Sequence, residues 1–183
     1  MSAQGGWTLA QHVQSSDTLN SLHAQKWTYV VLQEQSEVPS VQEWRAYSMY
    51  PAARTLVQQI RDIGSTPVFF LTWAHRDGFP DGGTNSYESM QVQINDGYYA
   101  IAAELNVPVA PVGSAWHLAL TDHPELTLWQ ADGSHPGEQG TYLAACVLYE
   151  TIFHESAVGL GYRGNLSTEV AETLQAIASK IKY

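Results

Sequence analysis

Short apolar runs alternate along the chain with longer stretches in which apolar residues recur every third or fourth position. That is the pattern of strands interleaved with helices. Tyr29-Val30-Val31-Leu32, Pro67-Val68-Phe69-Phe70-Leu71 and Val107-Pro108-Val109-Ala110 are the three strand candidates. The first is β-branched and apolar on both faces, as expected of a buried parallel strand. Thr8 to Gln25 places Leu9, Val13, Leu19 and Leu22 on a loose apolar face and predicts one helix. Residues 34–48 are polar and irregular. Pro51 suits the first turn of a helix that continues through Leu56, Val57, Ile60 and Ile63 to a Gly64 stop. Further helices are predicted over Tyr87 to Leu105, Ser114 to Leu120 and Glu138 to Glu155. A last one begins near Thr168, with Val170, Leu174, Ile177 and Ile181 on one face. Each crossover is long enough for a βαβ unit, so the expected fold is α/β with a parallel sheet. At 183 residues one domain is expected.

Composition narrows the partners. An apolar fraction of 44% with 14% charged residues fits a globular chain and excludes a disordered one. The net charge is −10, and the eight Lys and Arg are scattered, which argues against nucleic acid or an anionic membrane as partner. No apolar run reaches the roughly eighteen residues needed to span a bilayer. Met1 to Trp7 has neither a basic n-region nor an apolar h-region, so no export signal is read and the compartment stays open. Cys146 lies inside an apolar helical run and is expected to be a buried, inert thiol.

Ligands of parallel α/β sheets sit outside the carboxyl ends of the strands. The segments expected there are Gln33-Glu34-Gln35-Ser36, Thr72-Trp73-Ala74-His75 and the turn Asp132-Gly133-Ser134-His135-Pro136. In that turn a carboxylate stands three residues before an imidazole. A carboxylate so placed can accept the imidazole Nδ1–H, fixing the tautomer and leaving Nε2 free to take a proton. Glu34, Trp73 and His75 are candidates to line a substrate pocket, although core packing accounts for the tryptophan equally well. Seven histidines show no His-Glu-x-x-His spacing and no cysteine partners, so no metal is expected.

The order of these pieces resembles the SGNH (GDSL-type) hydrolases, and more closely a bacterial branch of them. Gly5-Gly6-Trp7-Thr8-Leu9 looks like the family's second block. Tyr29 to Ser36 looks like the third, Val68 to Trp73 like the strand after it, and Asp132 to Pro136 with Gly140 to Leu143 like the fifth. The resemblance implies a flavodoxin-like three-layer α/β/α fold and a serine-type ester hydrolase that works by acyl transfer without a cofactor. It implies His135 as base, Asp132 as its orienter, and Gly6 and Gln35 as oxyanion donors. The superfamily usually has Asn at the position of Gln35. The first block, which supplies the nucleophilic serine, has no counterpart here, so a piece of a longer hydrolase is expected. The rivals are a strand taken from a partner, as in a homodimer or strand complementation at the exposed edge, and a site rebuilt around another hydroxyl. Ser36 is then the substitute nucleophile, because it follows a strand near the predicted rim. The expected substrate is a small-molecule or carbohydrate ester, slightly favouring O-acetylated carbohydrate. A catalytically silent binding domain is the alternative function.

Overall fold

The structure, a computed structural model, describes residues 1–181. Three parallel strands form its sheet in the order β1-β2-β3: β1 (Tyr29–Leu32), β2 (Thr66–Phe70) and β3 (Val109–Ala110). Val31 stands opposite Val68, and Phe70 opposite Ala110. Alternation along β2 divides the core in two. Phe69, with Leu71 just beyond the strand, faces one helical layer, while Val68 and Phe70 face the other.

The first layer holds α1 (Leu9–Gln14), α2 (Ser16–His23), α4 (Tyr50–Asp62) and α5 (Tyr87–Leu105). The second holds α6 (Val112–Asp122), α7 (Glu138–Phe153) and α8 (Thr168–Lys180). This is a three-layer α/β/α arrangement, as the resemblance implies. The second layer covers β2 and β3 but reaches β1 poorly, and Val31 is 41% exposed. The first strand is therefore an edge strand with one open face, not the fully buried strand its composition predicts. No helix among the described residues is long and apolar enough to cross a membrane. Cys146 is buried, and burial pushes its thiol up to about 11.

Two helices depart from their predicted form. The helix expected over Thr8 to Gln25 breaks at Ser15, whose extended backbone lets its hydroxyl accept from the Thr18 N–H and start α2. Serine competes in this way with a continuing helix. The helix expected to begin at Pro51 begins instead at Gln42. It runs as α3 (Gln42–Trp44), a π turn over Arg45–Met49, and α4. At its end the Tyr50 N–H donates to Arg45 O, one residue further back than in an α-helix. The widened turn lets the chain pass Pro51, which has no N–H to give, without ending the helix.

Candidate active site

The segments that follow the carboxyl ends of β1 and β2 carry the site. After β1, Leu32 and Glu34 are buried while Gln33 between them is exposed, so strand alternation continues past the last paired residue. Glu34 is only 1% exposed. Its Oε1 accepts from the Leu9 N–H at 3.1 Å and from the Gln35 N–H at 2.8 Å. Its own N–H donates to the hydroxyl of buried Tyr98 at 3.0 Å. Glu34 was expected on the pocket wall. It lies beneath the rim instead and ties the start of α1 to the end of β1.

That start is itself well specified. Thr8 and Gln11 form a capping box, each accepting from the other's backbone N–H. Gly6, two residues earlier, turns the chain at φ +74° in exposed backbone. A Cβ there would be strained by conformation rather than by crowding.

Burial raises the Glu34 carboxyl to about 7, against the lowering effect of the Gln35 and Leu9 N–H groups, and its Oε2 has no hydrogen-bond partner among the described residues. The folded state therefore holds this proton more tightly than the unfolded chain, where the value is near 4.5. The stability contributed by Glu34 is full below about pH 4.5 and is lost as the pH rises through about 7, a span worth roughly 3 kcal/mol. Glu34→Gln removes the charge and keeps an acceptor for the two N–H groups. In urea unfolding the variant should gain on the native protein by up to about 3 kcal/mol between about pH 5 and about pH 8. A difference that does not change with pH overturns this assignment.

Gln35 turns its side chain back on the chain. Its Oε1 accepts from the N–H groups of Glu37 at 2.9 Å and Val38 at 3.2 Å, opening the 3₁₀ turn Val38–Ser40. That fixes the amide in one orientation with its NH₂ as the end left for another acceptor. Because Gln35 caps these groups, the Ser36 hydroxyl is not consumed by its own turn. It meets His75 Nε2 at 3.0 Å instead, bridging the ends of β1 and β2.

The segment after β2 is held from below by α5. The Ala74 N–H donates to Gln91 Oε1 at 2.7 Å, and Gln91 Nε2 donates to Thr72 O at 3.2 Å. The His75 N–H reaches Met90 Sδ at 3.3 Å. Trp73, expected to line the pocket, packs inward, stacked on Trp116 with centroids 4.4 Å apart.

The turn bearing Asp132 and His135 docks on this segment through three hydrogen bonds. Trp73 Nε1 donates to Ser134 O at 2.9 Å, Trp129 Nε1 to Ala74 O at 3.1 Å, and the Arg76 N–H to Gly133 O at 2.8 Å. Gly133 sits at φ +70° with the Arg76 side chain against it, a conformation that glycine adopts at no steric cost. Inside the turn, Asp132 Oδ1 accepts from the Ser134 and His135 N–H groups, each at 2.9 Å, and Oδ2 meets His135 Nδ1 at 2.8 Å. The two backbone N–H groups and then the imidazole hold the Asp132 carboxyl at about 2, so it is a carboxylate at any ordinary pH. Nδ1 is consequently the protonated nitrogen of the neutral ring, and Nε2 the basic one. The His135 side chain is 74% exposed, so Nε2 is open to a reacting partner.

His75 and the dyad share one patch of field. Desolvation lowers the His75 pKa most; the charges of Glu37 and Asp132 raise it, and His135 lowers it. Asp132, His135, His75, Ser36 and Gln35 therefore gather on the rim, while Glu34 and Trp73 support it from beneath. Gln91 and Trp129 escaped the sequence reading. The only signal for Gln91 is an amide beside Met90 on the inward face of an otherwise apolar helix. No group of three or more His, Cys, Asp or Glu side chains among the described residues is placed to hold a metal ion.

No family model matches the chain, and no curated protein matches it. Among solved structures it is similar to a DUF4886 family protein from Bacteroides uniformis ATCC 8492, with TM-score 0.79 and 22% identity over 97% of this chain and 80% of that one. It is also similar to a "putative SGNH hydrolase" from Slackia heliotrinireducens, with TM-score 0.68 and 29% identity over 81% of this chain and 80% of that one. The first likeness concerns the fold alone. The second makes the fold SGNH-hydrolase-like.

Proposed function

We propose that the protein is a serine-type hydrolase of carboxylic esters, acting by acyl transfer at the rim where β1, β2 and the Asp132 turn meet. The observation that carries this reading is the 2.8 Å contact of Asp132 Oδ2 with His135 Nδ1, on a ring whose Nε2 is open. An ester hydrolase must accept a proton from an attacking hydroxyl or water and return one to a leaving oxygen. A neutral imidazole held in one tautomer by a carboxylate does both, and the carboxylate stabilises the imidazolium between the two steps. The likeness to an SGNH-type structure supports the same reaction class.

Gln35 and Gly6 are the proposed oxyanion donors, one through its side-chain NH₂ and one through backbone N–H. The carbonyl end of Gln35 is already fixed by Glu37 and Val38, which preorganises the NH₂ end. No cofactor is needed. Short acyl groups on a carbohydrate are the favoured substrate class, since the rim is polar.

Release of p-nitrophenol from short-chain esters, followed by release of acetate from acetylated oligosaccharides, tests the reading. Gln35→Glu, which keeps an acceptor for the Glu37 and Val38 N–H groups and loses the NH₂ donor, should lower kcat at least about 10²–10³-fold with little change in KM, the usual cost of one lost oxyanion donor. Saturable binding of such a sugar ester without turnover would favour a silent binding domain and overturn the hydrolase reading.

A further inference from the structure

We propose that Ser36 is the nucleophile of this rim and that His75 is the base that activates it. The pair stands beside the Asp132–His135 dyad. The proposal rests on the hydrolase reading above and supplies the attacking group which that reading leaves unassigned.

Three observations carry it. The first is the contact itself: Ser36 Oγ lies 3.0 Å from His75 Nε2, within the reach at which an imidazole takes a hydroxyl proton. The second is that the hydroxyl has been spared for this partner. A serine in a turn normally bonds to backbone two residues on. Here the amide oxygen of Gln35 occupies that N–H, on Val38. The third is placement. Ser36 and His75 follow adjacent parallel strands at their carboxyl ends, where such sheets bind ligands. His75 is held through its backbone by Met90, and the next residue, Arg76, is bonded to the dyad's turn at Gly133 O. Half-buried His75 is also biased toward the neutral ring, the form a base requires.

Two imidazoles on one rim divide the work of two half-reactions. In the first, Ser36 Oγ forms a bond to the ester carbonyl carbon while its proton passes to His75 Nε2. The tetrahedral oxyanion collapses, the ester C–O bond breaks, and the departing alcohol oxygen takes that proton. In the second, water adds to the acyl carbon and gives a proton to His135 Nε2. The bond to Oγ breaks, and the proton returns to Ser36. The sum is ester plus water to acid plus alcohol, with every residue restored.

The test is labelling of the full chain with a fluorophosphonate, with peptide mapping of the adduct, alongside p-nitrophenyl acetate turnover. The native protein should carry one adduct, on Ser36. Ser36→Ala should abolish it, and His75→Gln should slow it about 10²–10⁴-fold, the usual worth of a general base. His135→Ala should still be labelled, and with p-nitrophenyl acetate it should give one stoichiometric burst followed by slow release, because the water step alone has lost its base. Ser36→Cys preserves the turn. Its thiol should be alkylated by iodoacetamide faster when His75 is present than in the double variant with His75→Gln, and buried Cys146 gives little background. An adduct on another serine, or His135-dependent turnover that survives Ser36→Ala, overturns the assignment and leaves the hydrolase reading standing. No adduct together with turnover indifferent to His135 overturns both.

Discussion

His135→Ala should lower steady-state ester turnover about 10³–10⁴-fold while leaving the melting temperature almost unchanged. The rate loss follows from removing the only dyad nitrogen free to carry protons, a general base being worth typically about 10²–10⁴-fold. Stability is spared because the ring is 74% exposed and its one side-chain bond goes to a partly exposed carboxylate. Asp132→Asn should lose about as much turnover, near 10⁴-fold, for a different reason. The amide keeps an oxygen for the Ser134 and His135 N–H groups, so the turn persists, but its NH₂ end favours the ring with a bare Nδ1. That tautomer places the proton on Nε2, where a base is wanted. Parallel measurement of turnover and thermal unfolding checks both variants. A variant that keeps its turnover but melts at a lower temperature would mark the Asp132–His135 contact as turn architecture only.

Gly140→Ala should destabilise the protein by more than about 3 kcal/mol, lowering the melting temperature by about 6–12 °C. Gly140 lies in the first turns of α7 where the helix crosses the strand-like segment at Leu128. A methyl group on it would stand 2.3 Å from Leu128 O and 2.4 Å from Cζ2 of buried Trp116. Neither neighbour can yield cheaply. The carbonyl belongs to backbone, and the Trp116 ring is wedged between Trp73 and Trp129. Relief would require α7 to move off α6, carrying the Asp132 turn with it. Gly5→Ala is the matching control: a Cβ there meets nothing within 4 Å, so the expected change is within about 0.5 kcal/mol. Scanning calorimetry of the two variants decides the matter, and equal melting temperatures would show that the helix contact is soft.

The strands, the nineteen-residue helix α5 and the Asp132–His135 pairing were legible in the sequence because each depends on local pattern. A short apolar run at Tyr29 to Leu32, a 3.6-residue repeat from Tyr87, and a short turn with its own side-chain acceptor leave little to tertiary context. The two-residue period of a strand, carried two residues past β1, would have placed Glu34 inward with Leu32 and separated it from Gln35. What escaped depends on partners distant in the chain. Pro51 reads as a helix start, yet a π turn carries the helix past it, and nothing in Arg45 to Met49 announces that turn. Trp73 reads as a pocket residue until Trp116 stacks on it. Ser36 and His75 are separated by 39 positions, and only the pairing of β1 with β2 brings them to one place. Their contact was beyond any window on the chain, although the rim that contains both was not.

The indoles of Trp73 and Trp116 lie face to face, 4.4 Å apart and only 7° from parallel, and Trp129 stands edge-on against the same ring. Transition dipoles so close should exchange excitation, so the protein is expected to show a coupled ultraviolet band that isolated tryptophans lack. Trp73 and Trp129 are also the two side chains that fasten the His135 loop, so the seating of that loop is written into the molecule's own optical activity.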